Sequence, residues 1–158
     1  MVRLADLPDH ERAHFLAKVP TLPSFPNRPF VKGSPLGQRR VALVTTAGLH
    51  RRSDRPFAAG AGGMDYRVVP GDIDAGDLSL SHVSVNFDRT GLQADWNVAF
   101  PLDRLKELAR DKVIGSVAAF HYSFMGAISP VTKYEAKARE LAGMLRKDRV
   151  DAVVLSPV

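Results

Sequence analysis

Three short apolar runs, rich in β-branched residues, constrain the fold of this chain more than any other feature. They span residues 40–46, 113–120 and 150–155. Runs that are apolar throughout are typical of strands buried on both faces of a parallel sheet. Helix-like patterns at 101–111 and 130–149 separate the three runs. This alternation predicts an α/β fold with right-handed crossovers: a three-layer, mostly parallel sheet with helices on both faces, Rossmann-like or flavodoxin-like.

Two further strands are predicted between the first run and the helix at 101–111. Tyr66–Val69 is a short apolar-rich run that Pro70 ends, and Ser81–Phe87 alternates enough to form a more exposed strand. The segments that leave the first two buried strands are predicted to be loops. Because no internal repeat is visible, we interpret residues 38–158 as one α/β domain.

The first 37 residues form a different kind of segment. A helix is predicted over Pro8–Lys18, with Leu7, Phe15, Leu16 and Val19 as its apolar stripe. Prolines then follow at positions 20, 23, 26 and 29. A proline at every third residue is typical of a polyproline II helix, which has three residues per turn. We interpret this segment as an arm that lies across the domain or a partner subunit; a docking motif for an aromatic groove is the alternative.

Composition excludes several classes of function. The 158 residues contain no cysteine, which excludes disulfides, thiolate metal sites and thiol nucleophiles within them. No apolar run is long enough to cross a membrane, and the first residues do not resemble a secretory signal, so we expect a cytoplasmic protein. The net charge of +5 allows nucleic acid, an anionic substrate or an acidic partner. Separated arginines and an aromatic content of 8% argue against nucleic acid.

Candidate site residues follow from the expected topology, because open α/β sheets bind ligands beyond the carboxyl ends of their strands. His82 and His121 are candidate acid–base groups, although either histidine can also be structural. The arginines after the first strand are candidates to hold a carboxylate or phosphate, or they form a solvated basic turn. No histidine spacing indicates a metal site. The substrate-binding candidates are His50, Arg51, Arg52, Arg55, Asn86, Asp88 and Tyr122.

Several phrases together resemble a known family, the selenoprotein B subunits of glycine, sarcosine and betaine reductases and the corresponding subunit of D-proline reductase. The resemblance covers about residues 38–158, and its most specific phrases are those around residues 97–105 and 121–126. The phrases are VALVTTAGLH at 41–50, YRVVP at 66–70, SH at 81–82, DWNVAFPLDRL at 95–105, IGSVA at 114–118 and HYSFMG at 121–126.

The resemblance implies a reductive cleavage of a carbon–nitrogen bond in an amino acid or related amine. In the family a selenolate or thiolate attacks the carbon that bears the amine, the amine leaves, and thiols then reduce the enzyme. From their positions, the arginine loop and Tyr122 would hold the substrate carboxylate, and His82 or His121 would protonate the leaving amine. A second reductase subunit, carrying a pyruvoyl group, or a homo-oligomer is the expected partner. No cofactor is expected in this chain.

Family members carry their redox-active selenocysteine or cysteine just after a strand like the one at 150–155. We therefore expect selenocysteine just beyond Val158, with its UGA codon taken for a stop, and an inactive 158-residue chain. A natural terminus at this strand is the alternative. The competing function is a non-catalytic α/β domain that binds a small anion or an amino acid.

Overall fold

The computed structural model describes residues 3–24, 31–58, 63–84, 89–126 and 131–158. Its contacts divide the chain into two compact units, Met1–Val31 and Lys32–Val158. Each unit is described by itself below. None of the helices in the described ranges is long and apolar enough to cross a membrane.

The first unit is helical. A 3-10 turn at Leu4–Asp6 precedes α1, Asp9–Lys18, and a second turn follows at Val19–Thr21. The predicted helix is confirmed, with Pro8 preceding it as its amino-terminal cap. Of its predicted apolar stripe, Phe15, Leu16 and Val19 are exposed and Leu7 is partly buried. Pro20 lies in the second turn, so the polyproline prediction is wrong there, and the rest of that prediction falls largely on residues 25–30, outside the described ranges.

The second unit is an α/β domain, as predicted, with a mixed sheet. β1 lies in the middle of the larger sheet, with β6 parallel to it on one side and β7 parallel to it on the other. β3 pairs antiparallel with the far side of β6, while β2 and β4 form a separate two-stranded sheet. The strands are β1 Arg40–Thr45, β2 Leu49–Arg51, β3 Tyr66–Pro70, β4 Leu78–Leu80, β5 Ser116–Val117, β6 Phe120–Phe124 and β7 Ala152–Ser156; the helices are α2 Thr90–Ala94, α3 Leu102–Arg110 and α4 Glu135–Lys147.

The predicted strand at 113–120 is wrong in its extent. Val113 and Ile114 end helix α3 instead, since both donate their N–H groups to the Leu108 carbonyl. β5 and β6 both pair with β1, but residues 118 and 119 interrupt them and shift the register by two residues. The Asp148 carboxylate fills this interruption by accepting hydrogen bonds from the N–H groups of residues 119 and 120, at 2.8 and 3.2 Å. As a result His121 and Tyr122 lie within a strand, not after it.

Two other local predictions are corrected. The strand predicted at Ser81–Phe87 lies earlier, at β4, and residues 81–84 have no regular structure, while 85–88 are outside the described ranges. His50 and Arg51, expected in a loop, lie in β2, because that segment finds an antiparallel partner in β4.

Side chains of β1 alternate between two hydrophobic clusters. Val41 and Leu43 pack with Phe100 and the buried side of α3, in a cluster that also contains Leu105. Val44 packs instead with Tyr122, Phe124 and Leu141, in the cluster beneath α4. Since successive strand residues face opposite sides of a sheet, the two clusters lie on opposite faces of β1. The sheet is thereby fixed between buried apolar layers, which holds its carboxyl ends in place.

Candidate functional site

The chain leaves β1 and β6 through two glycines at the carboxyl edge of the sheet. Gly48 and Gly126 both have φ of 68°, a left-handed conformation that glycine adopts without strain. A Cβ atom on Gly48 would lie 3.0 Å from the backbone nitrogen of His82, and one on Gly126 would lie 2.8 Å from the Thr46 carbonyl oxygen. Both turns therefore require glycine for conformation and for space, and together they bring three chain segments into contact.

His82 is the titratable side chain that this contact positions. It is 6% exposed, and a Cβ atom on Gly126 would lie 3.3 Å from its Nε2. Its Nδ1 accepts a hydrogen bond from the Ser84 N–H at 3.1 Å, so the neutral ring carries its proton on Nε2. Burial lowers the pKa of His82, and the nearby Arg89 guanidinium, which donates to the His82 carbonyl at 2.7 Å, lowers it further. The ring is therefore neutral at pH 7, with a donor facing the Gly126 turn.

Backbone and hydroxyl groups form hydrogen bonds across the same edge. The Thr46 N–H donates to the Ser156 carbonyl at 3.2 Å, and the Val158 N–H donates to Thr46 Oγ1 at 3.0 Å. The Leu49 N–H donates to Ser123 Oγ at 2.8 Å, which ties the exit of β1 to β6. The carboxyl ends of β1, β6 and β7 thus form one connected surface, which we call the carboxyl edge.

An apolar cavity of about 540 Å³ opens beside the carboxyl edge, between the sheet and α4. Thr46 and Gly126 belong both to the edge and to the wall of this cavity. Tyr134 also lines the cavity, and its hydroxyl is buried and has no hydrogen-bond partner among the described residues. Burial raises the pKa of Tyr134, so the group stays a neutral donor. The remaining wall is apolar and includes Val44, Phe124, Ala138, Leu141, Leu145, Val153 and Leu155.

His121 lies elsewhere, in the middle of β6. Its side chain is completely buried, and its Nδ1 accepts a hydrogen bond from the Leu43 N–H at 2.9 Å. Its ring packs edge-on against Phe100, with 5.8 Å between ring centroids. Burial lowers the pKa of His121 to about 4, against a smaller raising effect of Asp148. His121 therefore hydrogen-bonds to the sheet through Nδ1, while its buried Nε2 has no hydrogen-bond partner among the described residues.

Tyr122 lies in the aromatic cluster on the α4 face of the sheet. It is 1% exposed and packs edge-on against Tyr66, with 5.8 Å between ring centroids. His50 is also buried: its Nδ1 lies 2.8 Å from the Arg51 carbonyl oxygen, and its Nε2 lies 2.6 Å from Ser81 Oγ. These two side chains are engaged by their own surroundings.

The three candidate arginines do not converge. Arg51 forms an ion pair with Asp54 at 2.8 Å, and Arg52 donates to the Gly76 carbonyl at 2.6 Å; both line a cavity of about 510 Å³. Arg55 lines a different cavity, of about 630 Å³, together with Arg67. Asn86 and Asp88 lie outside the described ranges. Within those ranges, no three histidine, aspartate or glutamate side chains are grouped as metal ligands would be.

Sequence reasoning missed four residues of the edge and its cavity: Thr46, Gly48, Gly126 and Tyr134. A signal was available for Gly48, because it comes shortly after an apolar run predicted to be a strand, where open sheets bind ligands. Gly126 lacked this signal, because β6 was predicted to end at residue 120. No comparable signal marks Tyr134, whose spacing along α4 is that of an ordinary core residue.

Comparison with known proteins decides the family. The model of the glycine/sarcosine/betaine reductase selenoprotein B family matches residues 17–158. The chain belongs to this family. Among the described residues, every one that forms the carboxyl edge lies inside the matched range.

Members of this selenoprotein B family with curated names include three reductase subunits. The chain is 37% identical over 117 residues to D-proline reductase subunit gamma of Acetoanaerobium sticklandii, an alignment that covers 73% of this chain and 47% of that protein. It is 33% identical over 142 residues to glycine reductase complex component B subunit gamma of Symbiobacterium thermophilum, an alignment that covers 85% of this chain and 32% of that protein. It is 28% identical over 142 residues to sarcosine reductase complex component B subunit beta of Peptoclostridium acidaminophilum, an alignment that covers 87% of this chain and 32% of that protein.

The chain thus spans about half the length of the D-proline reductase subunit and about a third of the other two. No solved structure matches it.

Proposed function

We propose that this chain is part of a subunit of an amino-acid reductase complex, and that its carboxyl edge is one wall of the active site. The observation that carries the proposal is the family match over residues 17–158. The names of the relatives describe subunits or components of glycine, sarcosine and D-proline reductases. The proposed reaction is the reductive cleavage of the carbon–nitrogen bond of a small amine or amino acid.

The proposed chemistry begins with a selenolate or thiolate, which attacks the substrate carbon that bears the amine. A selenolate suits this step because, like a low-pKa thiolate, it is ionised at neutral pH. The carbon–nitrogen bond breaks, and its electron pair stays with the nitrogen. A thiol then attacks the selenium or sulfur atom, whose bond to carbon breaks, and the carbon takes up a proton. A second thiol displaces the enzyme's selenolate or thiolate from the first, so that the two thiols end as a disulfide. This chain has no cysteine, so the nucleophile belongs to a part of the enzyme that these 158 residues do not contain.

We propose that His82 donates the proton that the amine nitrogen takes up as the amine leaves. It lies at the carboxyl edge, whereas His121 is completely buried within the sheet. Its Nε2 lies on the side of the ring that faces the Gly126 turn, where we propose that the amine nitrogen is bound in the complete enzyme. Because the pKa of His82 lies below its usual value, only a minor, protonated fraction of the rings acts as the acid at pH 7, and this form is a stronger acid than an ordinary imidazolium.

The cavity beside the edge is proposed to hold the substrate body. Its wall is largely apolar, and the Tyr134 hydroxyl lacks a partner among the described residues. A buried hydroxyl without a partner costs free energy, which a hydrogen bond to a polar ligand atom would recover. A small amine or amino acid with an apolar portion fits both features. Tyr122, Arg51 and Arg52, whose partners are within the domain, receive no such support as carboxylate ligands.

The remaining parts are assigned to the complete enzyme. The redox residue is proposed to lie next to the carboxyl end of β7, because β7 ends at the same edge as His82. The complete domain is proposed to be a three-layer, Rossmann-like or flavodoxin-like sheet. The complete enzyme is proposed to include a second subunit that carries a pyruvoyl group. A thiol is proposed as its reductant.

The test is an assay of the complete reductase complex, purified from the source organism. We expect dithiol-dependent release of amine, or of the ring-opened product, from at least one of glycine, sarcosine, betaine and D-proline. Absence of turnover with all four compounds, in a complex shown to contain its redox residue in reduced form, would contradict the proposal.

A binding domain without catalysis is the second candidate, and the cavity with the Tyr134 hydroxyl favours it. That function requires the 158-residue chain alone to bind a ligand. Thermal unfolding with a panel of amino acids and small anions measures this directly. A rise in Tm that Tyr134→Phe abolishes, combined with no turnover by the complete complex, would favour the binding domain.

A further inference from the structure

The last strand, β7, forms an open edge of the larger sheet. Among the described strands it pairs only with β1, through five consecutive residue pairs from Val41–Ala152 to Thr45–Ser156. An open edge presents a row of unpaired backbone N–H and C=O groups, which is a template for another strand. Natural proteins usually protect such edges with charge, proline or a short length. Residues 152–156 contain neither a charged residue nor a proline.

Both faces of this edge strand are apolar and exposed. Val153 and Val154 are 38% and 39% exposed, although they point to opposite faces, and Leu155 is 72% exposed. Val153 and Leu155 line the open side of the cavity beneath α4. Strands of parallel sheets are normally buried on both faces, so this pattern is typical of an interior strand and not of an edge.

The backbone of β7 is oriented for a further partner. The Ser156 carbonyl points toward β1, since it accepts the Thr46 N–H at 3.2 Å. In a parallel ladder, the N–H and C=O groups of alternate residues point to opposite sides. The backbone groups of Leu155 and Val153 therefore point away from β1, to the open side.

The part of the family's subunits that has no counterpart in this chain is the occupant that the observations favour. The match covers 47% of the D-proline reductase subunit gamma and 32% of the glycine reductase subunit, so a family-length subunit has ample chain to extend the sheet. We propose that a strand from that unmatched portion pairs with the open edge of β7 and covers Leu155. The inference rests on the proposed function only in assuming that this chain works within a family-length reductase subunit.

The test uses the 158-residue chain and one defined probe, the unmatched portion of D-proline reductase subunit gamma of Acetoanaerobium sticklandii. The two polypeptides are produced together, and the tagged chain is purified. Leu155→Pro removes one outward N–H while leaving the hydrogen bonds to β1, because proline is tolerated where that group faces away from the ladder. The matched control is Val31→Pro, at an apolar residue that is 84% exposed and outside every helix and strand.

We expect the wild-type chain and the Val31→Pro variant to retain the probe. The amount of probe that copurifies with Leu155→Pro should be at least tenfold lower. Hydrogen exchange gives a second readout that needs no variant: the Leu155 amide should become protected when the probe is bound. Absence of the probe, or retention by a folded Leu155→Pro chain without amide protection, would overturn the proposal. A dimer of the chain that Leu155→Pro dissociates would also overturn it, because the occupant would then be a second copy. These readouts measure binding and not turnover. The probe can therefore fail to bind although the complete complex is active, and it can bind although the complex is inactive, so the two proposals can fail separately.

Discussion

At the residue scale, the two histidines nominated as acid–base groups have opposite environments. His82 lies where three chain turns meet at the carboxyl edge, while His121 lies in the sheet interior with its Nδ1 satisfied by a backbone N–H. Burial lowers the pKa of both rings. The same direction of shift therefore has two meanings. At His82 it sets the protonation state of a group at the proposed active site, and at His121 it is a cost that the fold meets by keeping the ring neutral.

The His121 ring makes folding stability depend on pH. Its pKa is about 4 in the folded chain and near 6.5 when unfolded, so the unfolded state takes up the proton first as pH falls. Stability is present above pH 6.5 and is lost as pH falls from 6.5 through 4. Between pH 7 and pH 5 we expect His121 to account for a loss of about 2 kcal/mol in the free energy of unfolding.

Urea unfolding at the two pH values measures this loss. His121→Gln should be less stable at pH 7 but should show a smaller drop between pH 7 and pH 5. His10→Gln, on the first turn of α1, serves as the control and should behave as wild type. An equal drop in all three proteins would contradict the assignment.

At the element scale, the sequence predicted the strands that depend on apolar pattern alone. Most residues of the runs at 40–46 and 150–155 lie in strands, Arg40–Thr45 and Ala152–Ser156, because apolar and β-branched side chains favour strands without a special partner. The strand at 120–124 was missed because His121 and Ser123 look like loop residues. His121 Nδ1 and Ser123 Oγ accept hydrogen bonds from the N–H groups of Leu43 and Leu49, which are more than 70 residues away in the chain. Such pairings depend on the tertiary fold, and no local pattern reports them.

The same argument applies to the site. The position of the carboxyl edge could be predicted from topology, because open α/β sheets bind ligands beyond the carboxyl ends of their strands. His82 was nominated as an acid–base group from its residue type, and the topology did not predict that it lies at this edge. The approach of His82 to Gly126 depends on residues 81–84, which follow β4 without regular structure, whereas the alternation at 81–87 predicted a strand there. The arginines were grouped because they are close in sequence, but β2 and the following turn direct them into two different cavities.

The glycine turn after β6 gives a test of the edge as an element. Gly126→Ala places a Cβ atom 2.8 Å from the Thr46 carbonyl oxygen at a residue with φ of 68°. We expect a loss of at least about 1–2 kcal/mol in the free energy of unfolding from the left-handed conformation, with a further loss from the close contact. Denaturant unfolding measures it.

Gly143 provides the matched control, because it lies within α4 and a Cβ atom there would meet nothing within 4 Å. Gly143→Ala should stabilise the chain by about 0.5–1 kcal/mol. If both alanine variants were neutral or stabilising, the close packing of the carboxyl edge would be wrong.

At the scale of the whole molecule, the proposed function assigns to this chain one wall of the active site. The sheet holds His82, Thr46 and the cavity in place, but the 158 residues contain no cysteine to act as nucleophile. The open edge of β7 lies next to this surface, and the strand proposed to cover it would bring further chain to the same end of the sheet. We therefore expect that the same additional chain covers the open edge of β7 and completes the proposed active site.

This division of labour predicts that the 158-residue chain alone is inactive. Incubated with a dithiol and each of glycine, sarcosine, betaine and D-proline, it should form no product above the rate without protein. Mass spectrometry of the reaction mixture measures amine or ring-opened product directly. Turnover by the isolated chain would show that the nucleophile is not a thiol or selenol.

The central claim is that His82 acts at the carboxyl edge of a working reductase. The most direct measurement is kcat of the complete complex carrying His82→Gln, compared with the complex carrying His10→Gln. We expect kcat to fall about 10²-fold or more for His82→Gln, as for loss of a general acid, with unchanged assembly and with His10→Gln equal to wild type. A His82→Gln complex that assembles and turns over at the wild-type rate would contradict the account.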